Sequence, residues 1–349
     1  MLIKTDNFPF ERIPAPLLFW YRANCRSLAW RENISPYKTW VSEIMLQQTR
    51  VEAAKSYFER FMLALPTVYD LAVCEEDKLL KLWEGLGYYS RVRNMQKAAR
   101  QIVQEYGGEF PADPEKLKKL AGVGDYTAGA IASIAFGKRA PAVDGNVFRV
   151  LSRLTENPTP IDEPLYKKYL EERLLAVYPE DGKDCSDFTQ ALMELGALIC
   201  KPTAPDCSRC PLNEICKANE HGTQTDFPVK KAKPTKKEER LLVFLIRTPK
   251  GICVRKRETG VLKGTYEFPS VPVSGEETPE NILKGWGVSA FTLKKEKNYK
   301  HIFTHIRWDM AAYLVEADDA LFEAYPLADI EEKISLPTAF KQCLSILEN

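Results

Sequence analysis

The chain has 349 residues, more than one domain usually holds, so we expect two domains. Apolar residues make up 45% of it, enough for a core, but no apolar run reaches the roughly 18 residues that span a bilayer. With 49 Lys and Arg against 48 Asp and Glu, net charge gives no sign of a polyanionic partner. The N-terminus, MLIKTDNFPF, lacks a signal-peptide pattern. These features exclude a membrane protein and predict a cytoplasmic one.

Helical periodicity dominates the first part of the chain. Apolar residues recur at about 3.6-residue spacing from Pro36 onward and predict a helical run through PYKTWVSEIMLQQTRVEAAKSYFERF. Further helices are predicted at 71–82, 92–106, 115–120, 147–154 and 165–200. The glycines and tyrosines of WEGLGYYSR predict a loop between the segments 71–82 and 92–106.

Composition changes at 221–237, where two prolines and five lysines predict a solvated linker. Short β-prone segments follow at 241–247, 252–256, 267–273, 299–303 and 311–315. A mainly helical domain at 1–220 is therefore expected to precede an α+β domain at 238–349.

Four cysteines with the spacing C-x6-C-x2-C-x5-C carry the strongest chemical signal, and they are Cys200, Cys207, Cys210 and Cys216. Four thiolates within 17 residues of a proline-rich loop can converge on one metal centre. Zinc is the alternative, but four-cysteine zinc sites usually use two short pairs, and only one is present. The pattern favours an iron–sulfur cluster.

A glycine turn in LAGVGDYTAG joins two predicted helices at Gly122 and Gly124. Such a turn exposes backbone N–H groups and a helix start, where a phosphate can bind, although an ordinary helix cap would look the same. Downstream, Asp144 stands just before a helix. It can cap that helix, stabilise a cation in a substrate, or do both.

Glu43 borders the apolar stripe of its predicted helix instead of lying opposite it. Desolvation there would raise its pKa and suit a general acid, whereas a salt bridge at the edge of the stripe is the structural alternative.

Two loops, RSLAWR and GYYSRVR, interleave basic and aromatic residues in a way that suits phosphate contacts and base stacking. His301 and His305 lie in a β-prone context, so no metal site is predicted there.

Together these motifs resemble the helix-hairpin-helix DNA glycosylases with an iron–sulfur cluster, and within them the MutY-type adenine glycosylases. The resemblance is carried, in order, by PYKTWVSEIMLQQTRV, WEGLGYYSR, LAGVGDYTAGAIASIAF, VDGNV and the four cysteines. It implies two helical subdomains with a target base flipped into the cleft between them. It also implies one 4Fe–4S cluster on the cysteines, and a monomer that acts on double-stranded DNA.

By resemblance, Glu43 protonates the departing adenine and Asp144 supports the oxocarbenium-like sugar, with Tyr126 and Asn146 beside them. Related bifunctional enzymes carry a lysine where this chain has Tyr126; its amine forms a Schiff base and cleaves the strand. The tyrosine therefore implies base removal without true lyase activity.

Further roles follow from the same resemblance. The implied adenine-pocket residues are Trp30, Arg31, Leu46 and Gln190. The implied DNA-binding residues are Arg26, Gln48, Thr49, Leu86, Tyr88, Gly122 and Gly124, of which Gln48 and Tyr88 would fill the vacated base stack.

The C-terminal part resembles the Nudix-like domain that reads 8-oxoguanine opposite the target adenine. GTYEFP and HIFTHIRW carry this resemblance, and the implied reading residues are Phe303, Thr304 and His305. The family commonly has serine where this chain has Thr304, and proline where it has Ala29. EETPENILKGWGVSAF lacks the glutamate-rich metal helix of Nudix hydrolases, so a reader without hydrolase activity is implied.

The resulting hypothesis is a monofunctional glycosylase that removes adenine opposite 8-oxoguanine or guanine. A thymine- or uracil-mismatch glycosylase on the same scaffold is the alternative within the class. A DNA-binding iron–sulfur sensor without catalysis is the alternative outside it.

Overall fold

A computed structural model describes residues 7–232, 235–273, 275 and 277–348. The predicted linker residues 233 and 234, the first glutamate of EETPENIL and most of the N-terminal MLIKTDNFPF lie outside this range. The chain forms two compact units. One contains the described residues of Met1–Val73 and Asn94–Ala232, and the other those of Cys74–Arg93 and Lys233–Asn349. The segment 74–93, which lies in the predicted first domain, thus packs with the C-terminal unit.

The first unit is helical, as predicted. Its helices are α1 (Pro14–Asn24), α2 (Pro36–Leu46), α3 (Val51–Ala64), α4 (Val68–Val73), most of α6 (Ser90–Tyr106), α7 (Pro114–Leu117), α8 (Asp125–Ala130), α9 (Gly145–Thr155), α10 (Pro164–Val177), α11 (Gly182–Leu198) and α12 (Lys217–His221). A π-helical segment, Ile131–Ala135, extends α8. The second unit begins with α5 (Glu76–Leu82).

The run predicted as helical beyond Pro36 is interrupted between α2 and α3. Ser35 caps α2, because its side-chain oxygen accepts a hydrogen bond from the Lys38 amide. The helix ends at Leu46. Gln48 then adopts φ 61°, which a helix cannot accommodate. The continuous helix is therefore a wrong prediction, because periodicity alone does not detect a turn whose polar residues keep the apolar stripe in phase.

The second unit is built on a seven-stranded sheet. Its strands are β1 (Lys237–Thr248), β2 (Gly251–Lys256), β3 (Tyr266–Glu267), β4 (Ser270–Pro272), β5 (Phe291–Ile302), β6 (Ile306–Ala317) and β7 (Glu323–Tyr325). The order is β3-β2-β1-β6-β5, with β4 on β1 and β7 on β2; β1 and β6 are parallel. The helices are α13 (Pro279–Gly285), α14 (Leu327–Glu332) and α15 (Thr338–Lys341).

Both faces of this sheet are covered. Along β1, Val243 and Leu245 pack in one buried cluster and Phe244 and Ile246 in the other, which includes Leu283 of α13. This explains the unbroken apolar run LLVFLI. The α+β prediction is confirmed, but β5 is longer than predicted because its polar half, KKEKN, pairs antiparallel with β6. The pairing with β6 therefore determines the structure of this segment, although its polar residues have a low β-propensity.

Among the described residues, no helix combines the length and apolar character that crossing a membrane requires.

Gly129 provides a direct test of the packing around α8. A Cβ atom there would overlap the backbone carbonyl oxygen of Pro141, which cannot rotate away. We expect Gly129→Ala to lower the free energy of unfolding by about 1–3 kcal/mol, the usual range for over-packing. Urea denaturation measures this, with Gly145→Ala, at the first residue of α9, as the control because its Cβ would meet nothing within 4 Å. Equal stability of the two variants would contradict the packing.

Candidate active site and cysteine cluster

A cavity of about 470 Å³ opens within the first unit, lined by residues of α2, α8 and α11 and by the loops before α2 and α9. The structure gathers eleven sequence-predicted residues around it: Arg26, Trp30, Arg31, Glu43, Leu46, Gln48, Thr49, Tyr126, Asp144, Asn146 and Gln190. These residues come from segments more than 160 positions apart, so only the fold brings them together.

Glu43 is the most unusual group in the cavity wall. It is 6% exposed, beside the buried stripe of α2, and its carboxylate accepts a hydrogen bond from the Tyr126 hydroxyl. Burial raises the pKa of Glu43 to about 7, against a smaller lowering by that hydrogen bond. Within the described part of the chain no cation forms an ion pair with it, so the salt-bridge alternative does not apply. Glu43 can therefore hold and deliver a proton near neutral pH.

Asp144 caps α9, as one of the two sequence interpretations predicted. Its Oδ1 accepts from the Val147 amide at 2.7 Å and its Oδ2 accepts from the Asn146 side-chain amide at 2.8 Å. Burial raises its pKa, and these hydrogen bonds to the charged form act in the opposite direction. Arg149 in turn donates to Asn146 Oδ1 at 2.8 Å. The carboxylate is thereby fixed at the edge of the cavity.

Tyr126 lies one turn after the glycine turn. Gly122, at φ +74°, allows close approach to Asn94, whose Cβ would be 2.7 Å from any Cβ placed there. Gly124 then forms the N-cap of α8. Burial raises the pKa of Tyr126 well above its usual value, so it remains a neutral hydroxyl that donates to Glu43.

Glu194 is a residue that the sequence analysis missed. It lies on α11 and its side chain is 1% exposed. It accepts from Arg26 Nη2 at 2.7 Å and from Arg31 Nη2 at 2.9 Å. Burial raises the pKa of Glu194, but the two arginines outweigh this and lower it to about 2. Its i, i+4 spacing from Gln190 was the signal that could have pointed to the cavity.

The remaining predicted DNA-reading residues lie around a second cavity, of about 520 Å³, within the other unit. It is lined by Leu86, Tyr88, Phe303, Thr304 and His305, and the hydroxyls of Tyr88 and Thr304 are hydrogen-bonded.

The two predicted wedge residues line different cavities, Gln48 the first and Tyr88 the second. They share an uncommon left-handed backbone, at φ 61° and 46°. Such conformations concentrate at functional sites, and sequence alone does not reveal them.

The four predicted metal ligands, Cys200, Cys207, Cys210 and Cys216, line one small cavity. Burial raises the pKa of Cys210 to about 12 and that of Cys216 to about 11. Thiolates here therefore need a cationic partner. In the described part of the chain no three or more His, Cys, Asp or Glu residues form a ready site for a metal ion. The donor set, four thiols around one space, matches what an iron–sulfur cluster uses.

Arg153 holds this loop in place, although it is 2% exposed. It donates to the backbone oxygens of Lys201 at 2.7 Å, Pro202 at 2.8 Å and Phe227 at 3.1 Å. The last of these anchors part of the predicted linker to the helical unit.

His301 lies in β5, and His305 lies between β5 and β6.

Comparison with known proteins identifies the family. Residues 41–174 match the HhH-GPD superfamily of base excision DNA repair proteins, and residues 242–345 match the NUDIX domain. The adenine DNA glycosylase of Mus musculus is 34% identical over 87% of this chain and 70% of its own length. That of Buchnera aphidicola subsp. Schizaphis graminum is 33% identical over 86% of both.

This chain belongs to the adenine DNA glycosylase family. The family member of Arabidopsis thaliana is 36% identical over 85% of this chain, and the chain spans 56% of that relative's length. Two solved structures resemble the helical part. A thermostable thymine-DNA glycosylase is 28% identical with a TM-score of 0.55, and covers 61% of this chain and 97% of its own. Endonuclease III in a non-covalent DNA complex is 25% identical with a TM-score of 0.51, covering 62% and 98%. The predicted family and fold class are confirmed.

Burial of Glu43 predicts a pH-dependent cost in stability. Its folded pKa of about 7 exceeds the ordinary value of 4.5, so the stability that is present below about pH 4.5 is lost as pH rises from there to about 7. Relative to wild type, Glu43→Gln should gain about 3 kcal/mol in free energy of unfolding between acidic and alkaline pH. Urea denaturation at several pH values measures this. The exposed Glu59→Gln is the control, and parallel curves for all three proteins would contradict a raised pKa at Glu43.

Proposed function

We propose that this protein is a monofunctional DNA glycosylase that removes adenine paired with 8-oxoguanine or guanine in base excision repair. The observation that carries the proposal is the placement of two carboxyls, the buried Glu43 and the partly buried Asp144, on one cavity with Tyr126, whose hydroxyl donates to Glu43. Among the relatives, those that extend over both units are adenine glycosylases, whereas the thymine-DNA glycosylase resembles the helical part. This favours adenine as the target base.

The chemistry needs a proton on the leaving group. Adenine leaves poorly until a ring nitrogen is protonated, and Glu43 carries a proton up to about pH 7. The Tyr126 hydroxyl donates to one carboxylate oxygen of Glu43, which orients the carboxyl toward the cavity. Adenine would be flipped out of the duplex to reach it, between Trp30 and Leu46 on the cavity wall.

The sugar becomes cationic as the base departs. Asp144, held by the α9 cap and by Asn146, supplies the negative charge for that stage. Because these hydrogen bonds hold it before substrate arrives, little reorganisation is required during the reaction. Water completes the hydrolysis and leaves an abasic site. Tyr126 offers no amine for a Schiff base, so strand cleavage is not expected.

The second unit would read the base opposite adenine. Tyr88, Thr304 and His305 line its cavity with polar groups, and Phe303 and Leu86 add apolar surface. A hydroxyl at Thr304, the donor and acceptor capacity of His305 and these apolar contacts suit a modified guanine.

We further propose that the protein works as a monomer on chromosomal DNA in the cytoplasm, and that the Nudix-like domain has no hydrolase activity.

A 4Fe–4S cluster is proposed on Cys200, Cys207, Cys210 and Cys216. When bound, it would supply the positive charge that stabilises four thiolates in one space and would fix the loop after α11. The chain's own contribution is Arg153, whose Nη1 lies 3.4 Å from Cys200 Sγ and which holds the loop backbone.

Base release from a duplex carrying adenine opposite 8-oxoguanine tests the proposal. We expect strand breaks only after alkali, and Glu43→Gln should lower the single-turnover rate by about 100-fold or more while DNA binding persists. Glu59→Gln serves as the matched control. Breaks without alkali would contradict the role assigned to Tyr126. Thymine release from G:T duplexes in place of adenine would indicate the mismatch glycosylase, and binding without any release the sensor.

Metal analysis tests the cluster. Purified protein should be brown and contain iron and acid-labile sulfide in equal amounts, about four of each per chain. Cys210→Ser should lose both, whereas Cys25→Ser, an exposed cysteine outside the cluster loop, should keep them. A colourless protein containing one zinc would contradict the proposal.

A further inference from the structure

Glu194 holds two arginines on the wall of the first cavity. Its Oε1 accepts from the Arg26 backbone amide at 3.0 Å, Arg26 Nε at 2.8 Å and Arg31 Nη1 at 3.2 Å. Its Oε2 accepts from the Nη2 atoms of Arg26 and Arg31 at 2.7 and 2.9 Å. Arg31 Nη1 also donates to the Arg26 backbone oxygen at 3.1 Å. One buried carboxylate thus fixes both guanidinium groups.

This cluster faces the proposed acid. The charged and titratable groups that act on Glu43 are Arg31 from the Ala29–Arg31 turn, Tyr126 from α8 and Asp144 before α9. Arg31 is the cation among them and favours the ionised form of Glu43. Of the other elements packed on α2, α3 contributes Glu52, whose charge acts on Arg26, and Ile131–Ala135 contains no charged residue.

Two cations and one anion therefore share this wall. Without Glu194, both arginines would carry uncompensated charge on the wall of the cavity that Glu43 also lines, and Arg31 is the one that acts on Glu43. The two arginines, which both line the cavity, would also be released from the geometry that Glu194 imposes on them.

We infer that Glu194 is a positioning residue for adenine excision: it fixes Arg26 and Arg31 on the wall of the cavity and offsets their positive charge. This inference rests on the proposed function. A purely structural ion pair would stabilise the fold equally well but would leave the titration of Glu43 unchanged, and this difference separates the two roles.

Single-turnover rates of adenine release, measured against pH with saturating enzyme, provide the first test. In Glu194→Gln the alkaline limb should move to lower pH by about one unit, because stranded arginines favour ionised Glu43. Glu194→Asp, which keeps the charge, should restore part of the shift. Adding Arg31→Gln to Glu194→Gln should also move the limb back, because Arg31 is the cation that acts on Glu43.

Asp187→Asn is the matched control. Asp187 also lies on α11 and pairs with an arginine, Arg22 at 2.9 Å, but it does not line the cavity. The alkaline limb of the pH–rate profile of Asp187→Asn should coincide with that of wild type. A Glu194→Gln profile that is lower at every pH but has the wild-type midpoint would overturn the inference.

A second measurement does not depend on activity. The stabilisation that Glu43→Gln produces between acidic and alkaline pH should be smaller in the Glu194→Gln background than in wild type, and should reach its full size at lower pH. Identical midpoints in the two backgrounds would overturn the inference. Failure of the wild type to release adenine would count against the proposed function alone, since this stability comparison still decides the role of Glu194.

Discussion

Desolvation of one carboxyl is the constraint on which the first cavity depends. Glu43 lies on the buried side of α2, where removal from water makes its charged form costly. Natural proteins rarely keep such a group unless function requires it. The Tyr126 hydroxyl and the charge of Arg31 both favour the ionised form of Glu43, but burial outweighs them and raises the pKa of this carboxyl.

The second carboxyl has the opposite treatment. Asp144 is only partly buried, and although burial raises its pKa as well, the start of α9 and Asn146 direct N–H groups at it. Such donors stabilise a negative charge and do nothing for a neutral acid. Two carboxyls on one cavity can therefore serve as acid and as anion because helix ends and side-chain amides are distributed unequally between them. Stability is lost at Glu43, and the packing of α8, α9 and α11 must offset it.

Much of this could be predicted from the sequence, for identifiable reasons. The helical first part follows from periodicity, and the C-terminal sheet from β-prone runs between turns. Asp144 was recognisable as a cap because a short polar side chain before a helix has few other roles. The role of Glu194 was not recognisable, because in the sequence it looks like any solvated glutamate of a helix. Its partners, Arg26 and Arg31, are 168 and 163 positions away, and only the fold brings them to it. The break after Leu46 and the packing of segment 74–93 with the second unit are likewise tertiary effects.

The central claim is that Glu43 is protonated near neutral pH before any substrate binds. The most direct measurement is a carbon-13 NMR titration of glutamate carboxyls, with the Glu43 signal assigned by its loss in Glu43→Gln. The account predicts one glutamate that titrates near pH 7 and vanishes in that variant. A Glu43 signal that titrates near the ordinary 4.5 would contradict it, because Glu43 would then carry no proton at neutral pH.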